Sequence, residues 1–454
     1  MRQYGPYLRC MSCCVKTVFM PAKKRAAPDI QLNLNVRGLK QSATLAINEY
    51  SARLAHDGQQ VYRLGLGQSP FPVPQVVVDE LKVNAHQKDY LPVCGLRELR
   101  SAVADHHRRK QGVECTGKNV LIGPGSKELM FLLQLVYYGD LVIPTPSWVS
   151  YATQAQIIGR QIRWLQTQVE NGWRLMPDEL DRLCADDPGR PRLVILNYPS
   201  NPTGGSYKVD ELKQLAKVAR KYKVILLADE IYGEIHHRGQ HVSVARYYPE
   251  GTIISSGLSK WCGAGGWRLG TFTFPNSLHW LLDAMAVAAS ETFTSTSAPI
   301  QYAAVRAFMG GVEIEHYLTN SRRILRALGR YCWKKLRSCK ANVQQPTGGF
   351  YLFPDFSPLR ASLNSRGISD NATLCARLLE DTGVATLPGS EFGRPADELT
   401  LRLAYVDFDG AAALLACEHE YANKELDAAY MEFYCPNVVN ALTAMNDWFR
   451  SKKT

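Results

Sequence analysis

Several features that mark special classes of protein are missing from this sequence. The 454 residues contain no run of 18 or more apolar residues, so we expect no membrane-spanning helix. They also contain no long basic block interleaved with aromatic residues, so we expect no nucleic-acid partner, although 53 Lys and Arg exceed 42 Asp and Glu. The net charge of +11 instead favours a diffuse positive surface or a preference for small anions.

The twelve cysteines lack the spacing of a metal site. Only Cys10, Cys13 and Cys14 cluster, and no second C-x-x-C follows, so we predict no bound metal. We interpret most of the others as reduced side chains of a cytoplasmic protein. Residues 1–28 carry six Lys and Arg and no acid, which leaves a mitochondrial presequence as the alternative. Residues 1–35 are predicted to be a disordered basic extension.

Short apolar runs alternate with helical patterns from about residue 75 to residue 275. One of the helical patterns, 210–222, repeats apolar side chains at the spacing of an amphipathic helix. Runs this short, lying between helices, are typical of parallel strands that are covered on both faces, so we predict an α/β fold. The apolar runs are 120–122, 141–143, 193–196 and 224–228.

The pattern changes after about residue 320, which predicts a second domain. We assign residues 75–324 to a large domain, and residues 36–74 and 325–454 to a smaller α/β domain. The apolar spacing after Pro436 predicts a C-terminal helix with Asn437 as its N-cap.

Four polar segments follow predicted strands, where ligand sites of open α/β sheets lie. Gly125-Ser126-Lys127 is a glycine turn at a helix start, which suits a phosphate group. Asp229 ends a buried apolar strand, so we expect a charged partner beside it. The four segments are 123–127, 197–205, 227–232 and 255–270.

Together these segments resemble the class I/II aminotransferases, pyridoxal-phosphate enzymes of fold type I that include aspartate aminotransferase. The resemblance covers roughly residues 60–410 and implies a mostly parallel seven-stranded sheet in the large, cofactor-binding domain. It implies that Lys260 forms a Schiff base with pyridoxal 5'-phosphate, that Asp229 keeps the ring nitrogen protonated, and that Tyr232 binds the ring oxygen. These three residues are the predicted catalytic set.

The resemblance also implies the remaining contacts. Tyr90 corresponds to a tyrosine that reaches the phosphate of the neighbouring subunit, so a homodimer is expected. The substrate contacts are expected from Gly67, Asn201 and Arg402, with Arg402 holding the carboxylate. The other cofactor contacts are expected from Gly125, Ser126, Lys127, Trp148, Asn201, Ser259 and Arg268.

Three positions depart from the family pattern. Gly257 stands where many relatives carry a hydroxyl that binds phosphate. Lys127 follows the phosphate turn, where we expect it to contribute mainly its N–H. The stretch 291–299 has no cation at the place where aspartate-specific members carry a second substrate arginine, which argues against a standard dicarboxylate site unless an arginine elsewhere replaces it.

The resemblance predicts a ping-pong transaminase that moves an amino group between an amino acid and a 2-oxo acid. A C–S lyase or a cyclopropane-forming synthase of the same fold shares every residue named above and stays the alternative. A third hypothesis is a scaffold that has lost catalysis. Loss of Lys260, Asp229 or Arg402 would mark such a scaffold, and all three are present.

Overall fold

The computed structural model describes residues 31–39 and 41–451. Residues 1–30 of the extension that is predicted to be disordered therefore lie outside the described residues. No helix of the described part is long and apolar enough to cross a membrane.

A seven-stranded sheet forms the centre of the molecule, in the order β2-β8-β7-β6-β5-β3-β4. Strand β8 is antiparallel to both of its neighbours, and every other pairing is parallel. The predicted α/β class and the mostly parallel sheet are confirmed. Its strands are β2 Val120–Gly123, β3 Asp140–Thr145, β4 Ile162–Gln166, β5 Arg192–Asn197, β6 Ile225–Asp229, β7 Thr252–Gly257 and β8 Gly270–Thr273.

Helices cover both faces of this sheet because alternate residues of a strand point to opposite faces. In β5, Leu193 and Ile195 pack into the cluster that holds Leu129, whereas Val194 and Leu196 pack into the cluster that holds Leu215. The fifteen α-helices of the described residues are α1 Ala43–His56, α2 Gln75–Asn84, α3 Arg97–Gln111, α4 Ser126–Val136, α5 Ser150–Ile157, α6 Pro177–Ala185, α7 Val209–Lys221, α8 His279–Ser290, α9 Ala298–Met309, α10 Val312–Ser338, α11 Arg360–Asn364, α12 Asn371–Thr382, α13 Gly410–His419, α14 Ala428–Tyr434 and α15 Pro436–Arg450.

Two small sheets lie outside the central one. In the first, β1 pairs in parallel with β10, so the chain near residue 62 lies beside residue 384. In the second, β12 is antiparallel to both β11 and β9. The proposed division into two domains is compatible with these pairings and stays a prediction. The strands are β1 Tyr62–Arg63, β9 Tyr351–Leu352, β10 Val384–Ala385, β11 Leu387–Pro388 and β12 Leu401–Ala404.

The C-terminal helix α15 begins two residues earlier than predicted. Pro436 is its first residue and Cys435 occupies the N-cap, without a capping side-chain bond. The predicted N-cap at Asn437 is therefore wrong. Proline suits the first helical position because its missing N–H would find no partner within the helix there.

Candidate active site

Three adjacent strands bring their carboxyl ends together at one edge of the central sheet. Asn197 at the end of β5 lies opposite Asp229 at the end of β6, and Asp229 lies opposite Ser255 in β7. Parallel pairing in register thus places three polar residues side by side, at the edge where open α/β sheets bind ligands.

A cavity of about 580 Å³ opens beside this edge. It brings together most of the residues predicted from the sequence. Gly125 lies next to it, since a side chain at this position would collide with the guanidinium of Arg268. Tyr90 is 90% exposed and lies outside the cavity of its own chain. The predicted residues that line the cavity are Gly67, Ser126, Lys127, Trp148, Asn201, Asp229, Tyr232, Ser259, Lys260, Arg268 and Arg402.

Asp229 is buried and is held by hydroxyl groups. Tyr151 donates a hydrogen bond to Oδ2, and Ser255 donates to Oδ1 over 3.3 Å. Both of these groups are neutral, and the charge of Lys260 also acts on the carboxylate without forming an ion pair, so the expected charged partner stays a prediction. Burial raises the pKa of Asp229 to about 6, against the lowering effect of the Tyr151 hydrogen bond. At neutral pH the carboxylate is still ionised, and it faces a cavity in which it can bind a cationic N–H.

Lys260 extends into the same cavity. Its Nζ donates to the carbonyl oxygen of Gly67 over 2.7 Å, and it lies 5.6 Å from the centroid of the Tyr232 ring. Burial, and then the nearby charge of Arg402, lowers the pKa of this amine to about 8. A considerable fraction of the amine is therefore neutral at physiological pH, as a nucleophile or a base must be.

A pair of tyrosines closes the cavity beside Lys260. The hydroxyls of Tyr232 and Tyr351 lie 2.9 Å apart, and the hydroxyl of Tyr351 lies 3.4 Å from the carbonyl oxygen of Gly67. Sequence reasoning missed both Tyr351 and Tyr151. Both hydroxyls belong to segments whose apolar pattern gives no sign that they face a site.

Arg402 is a buried cation without an acidic partner. It is 1% exposed and donates from Nη1 to Oδ1 of Asn201 over 3.1 Å and from Nη2 to the carbonyl of Gly65. Its guanidinium also packs against the rings of Tyr351 and Phe392. It forms no ion pair with any carboxylate of the described residues, and its Nε has no hydrogen-bond partner. A buried charge that lacks its counter-ion suits an anionic ligand.

A second positive group forms at the start of α4. Arg268 has a left-handed backbone conformation, with φ of 55°, and donates from Nη1 to the carbonyl of Gly265 over 2.9 Å. Lys127 places its Nζ 5.1 Å from the centroid of the Trp148 ring. Both cations line the cavity with the hydroxyl-bearing Ser126 and Ser259. The side chain of Lys127 therefore reaches the cavity. The expectation that Lys127 contributes mainly its N–H did not include this contact.

The geometry explains why Gly257 carries no hydroxyl. A Cβ atom at this position would lie 2.6 Å from the carbonyl oxygen of Leu269, closer than real Cβ atoms come to backbone. Strand β8 approaches β7 so closely here that no side chain fits. Ser126 and Ser259 are the remaining predicted hydroxyls in the cavity.

These groups fit pyridoxal phosphate. Arg268, with the hydroxyls of Ser126 and Ser259, suits its phosphate, the buried carboxylate of Asp229 suits a protonated ring nitrogen, and Lys260 supplies an amine. Each requirement of the cofactor is thus matched by a group that already faces one cavity.

Comparison with known proteins identifies the family to which the chain is similar. The sequence profile of the family described as "Aminotransferase class I and II" matches residues 59–414. The aspartate aminotransferase of Geobacillus stearothermophilus is 32% identical over 386 residues, which cover 83% of this chain and 94% of that protein. An aspartate/prephenate aminotransferase of Thermus thermophilus is 29% identical and covers 80% of this chain and 91% of its own.

Solved structures show the same likeness. The aspartate aminotransferase of Thermus thermophilus with maleate superposes with a TM-score of 0.77 at 28% identity, covering 92% of this chain and 99% of that one. The aromatic aminotransferase of Pyrococcus horikoshii reaches a TM-score of 0.72 at 27% identity, covering 88% of this chain and 98% of its own. The similarity therefore extends over almost the whole of the solved enzymes.

Proposed function

This chain belongs to the class I and II aminotransferases, which depend on pyridoxal phosphate, and on that premise we propose that it transfers the amino group of an acidic amino acid to a 2-oxo acid through Lys260. The transaminase prediction is confirmed by these relatives. Every relative named above is a transaminase, which favours transamination over elimination. Lys260, Asp229 and Arg402 share one cavity, which favours an enzyme over a scaffold that has lost catalysis.

Pyridoxal phosphate, when bound, supplies an electron-withdrawing ring that makes the α-proton of an amino acid acidic. The proposed role of Asp229 is to keep a proton on the ring nitrogen, which its burial in a low-dielectric site strengthens. Arg268, Ser126 and Ser259 would hold the phosphate. The flat face of Trp148 would lie against the ring.

The proposed role of Lys260 is proton transfer at Nζ. The amine can accept the α-proton of the substrate and return a proton to a neighbouring carbon. Because its pKa is about 8, the neutral amine and the ammonium differ little in free energy near neutral pH. Its hydrogen bond to the Gly67 carbonyl and the Tyr232–Tyr351 pair beside it restrict where the amine can move. The same group thus serves both half-reactions.

The observation that supports the proposed substrate is the buried guanidinium of Arg402, which has no acidic partner among the described residues. Its two outer nitrogens form a planar fork that matches the two oxygens of a carboxylate, and an α-amino acid and a 2-oxo acid both carry that group. Asn201, already bonded to Nη1, would fix the plane of the fork.

A second carboxylate of the substrate would bind the Lys127 side chain. The stretch 291–299, which has no cation, does not line the cavity of this chain, whereas the Lys127 side chain does. Two relatives are named for aspartate, and one solved relative was crystallised with the dicarboxylate maleate. We therefore propose an acidic donor such as aspartate, with Lys127 in place of the missing arginine.

The replacement Lys127→Ala tests the acidic donor. We expect kcat/KM for aspartate to fall roughly ten- to hundredfold, because a hydrogen bond to a charged group contributes about 1.5–3 kcal/mol. The value for alanine, which has no second carboxylate, should change by less than about threefold. Initial rates with both donors and a fixed 2-oxo acid measure the ratio.

Lys118→Ala is the matched control, since Lys118 is an exposed lysine outside the cavity. An equal loss with aspartate and alanine would contradict the proposal, because it would assign Lys127 to the cofactor and not to the donor. A loss for aspartate alone supports it.

We also propose a homodimer in which Tyr90 serves the partner's cavity, since Tyr90 is 90% exposed in one chain. Light scattering should give twice the chain mass of 50.7 kDa. In mixed dimers of Lys260→Ala and Tyr90→Phe, one site would then regain both wild-type residues. Activity at limiting cofactor should exceed that of either parent. No recovery on mixing, or a fully active single chain, would contradict the proposal.

The cytoplasmic location stays a prediction. The basic segment that favours the mitochondrial alternative lies in residues 1–28, outside the described residues.

A further inference from the structure

A second large groove lies apart from the active site, along one face of helix α10. Its volume is about 850 Å³, and it shares no lining residue with the cavity that holds Lys260. Six cations and two acids line it, so its charge is strongly positive. They are Arg238, Arg323, Arg326, Arg330, Lys334 and Lys424, with Glu425 and Asp427 as the acids.

Four of the cations belong to one helical face. Arg323, Arg326, Arg330 and Lys334 are separated by three, four and four residues in α10, the spacing that brings side chains together on one side of a helix. Like charges at this spacing destabilise a helix. A stripe of this kind is therefore unfavourable unless an anion lies against it.

No acid of the described residues forms an ion pair with the cations of this stripe. Some exposed cations elsewhere on the surface pair with nearby acids, as Arg182 does with Asp178. Among the described residues, Arg326, Arg330 and Lys334 have neither an ion pair nor a side-chain hydrogen bond. Of the two acids in the groove, Asp427 is already engaged, because its side chain caps α14 by accepting from the Tyr430 N–H over 3.0 Å.

Arg323 holds the groove open in a fixed shape. Its guanidinium donates to the backbone carbonyls of Tyr421 and Lys424 over 2.6 and 3.0 Å, which ties α10 to the chain after α13. The other three cations of the stripe remain exposed at the groove. Ligand binding would thus require little ordering of the walls, which favours affinity.

We propose that this groove binds a small anion that carries two or more phosphate groups. Guanidinium groups bind phosphate oxygens through paired hydrogen bonds, and Arg326 and Arg330 lie one helical turn apart, with Lys334 a turn further. The groove has the volume of a small-molecule site, and Tyr331 and Trp333 add aromatic side chains to its wall. A compact groove of this size suits a small phosphate compound better than a nucleic-acid strand.

The test uses the enzyme loaded with pyridoxal phosphate, so that the phosphate contacts of the active site are already filled. Sodium tripolyphosphate is titrated into it in a calorimeter at low salt. We expect saturable binding that weakens by about tenfold or more in the double variant Arg326→Ala/Arg330→Ala, because each lost guanidinium removes a charged hydrogen bond. Both residues are exposed, so the variant should fold, and its circular dichroism melt checks this.

Lys118→Ala/Lys217→Ala is the matched control, since it removes the same charge from exposed lysines outside the groove. Its affinity for tripolyphosphate should equal that of the parent. Absence of saturable binding, or equal losses in both double variants, would overturn the proposal, because the first leaves no site and the second reflects net charge alone.

Further titrations distinguish a nucleotide, an inorganic phosphate compound and a nucleic acid as the ligand. Tighter binding of ADP than of pyrophosphate, lost in the Arg326/Arg330 variant, would support a nucleotide that also contacts the aromatic wall. Equal binding would support recognition of the phosphates alone. A short single-stranded DNA that binds more tightly than tripolyphosphate and displaces it would overturn the small-ligand proposal in favour of a nucleic acid.

Discussion

Replacing Lys260 with Ala is expected to lower transamination by about 10⁴-fold or more while the protein stays folded. The proposed mechanism uses this amine both as the attachment point of the cofactor and as the group that moves the α-proton. Among the described residues, Lys127 is the other lysine of the cavity, and its Nζ lies over the Trp148 ring. Removal of Nζ takes one hydrogen bond from the Gly67 carbonyl, which keeps the Tyr351 hydroxyl at 3.4 Å and lies beside a cavity open to water.

The rate of product formation from aspartate and a 2-oxo acid measures the effect, with thermal unfolding as the check on the fold. Lys217→Ala removes an exposed lysine of α7 and should retain full activity. A Lys260→Ala enzyme within about tenfold of the parent rate would contradict the assignment, since general acid–base catalysis alone contributes about 10²- to 10⁴-fold.

The second large effect is expected for Asp229→Asn, which should lower kcat on the order of 10³-fold. The amide has nearly the same shape and can still bond with Tyr151 and Ser255, but it carries no negative charge to hold a proton on the ring nitrogen. The loss is thus electrostatic and should be the same for every amino donor. Donor-dependent losses would contradict the role.

The same replacement should stabilise the cofactor-free protein. The pKa of Asp229 is about 6 in the folded state and 3.8 as its ordinary value. The folded state binds more protons between these two values, so this group's contribution to the free energy of unfolding falls as pH rises from about 4 to about 6 and stays low above. Removing the charge should recover about 3 kcal/mol at most at pH 7.

Chemical unfolding of the cofactor-free protein at pH 7 and at pH 4 tests this. Asp229→Asn should be the more stable protein at pH 7, and the difference should shrink at pH 4. Asp187→Asn, at an exposed acid, serves as the control for the loss of one charge. A variant that is less stable than the parent at pH 7 would contradict the prediction. It would show that the Asp229 carboxylate stabilises the cofactor-free fold, so that no stability is lost by keeping it for function.

The strands and the polar residues that follow them could be predicted from the sequence, because both depend on local pattern, whereas the roles of Lys260, Arg268 and Arg402 were implied by the family resemblance. The apolar run ending at Asp229 is short and continuous, which is typical of a strand covered on both faces, and β6 has that burial. A polar residue directly after such a run must lie at the sheet edge. Asn197 lies at the same edge for the same reason, and parallel register then places the two side by side.

The features that were missed depend on contacts between distant segments. Tyr151 and Asp229 are 78 residues apart, and Tyr351 and Tyr232 are 119 apart, so no local spacing relates them. The reach of the Lys127 side chain depends on where Trp148 lies. The N-cap of α15 was placed at Asn437 because capping preference favours asparagine, whereas the proline before it set the first helical residue.

The close approach of β8 to Gly257 restricts how this active site can evolve. A change from glycine to serine at this position needs few mutational steps, but the new Cβ would first meet the Leu269 carbonyl, 2.6 Å away. A side chain with a hydroxyl can therefore be accommodated at this position only after the neighbouring strand has moved. The order of substitutions at this place therefore matters.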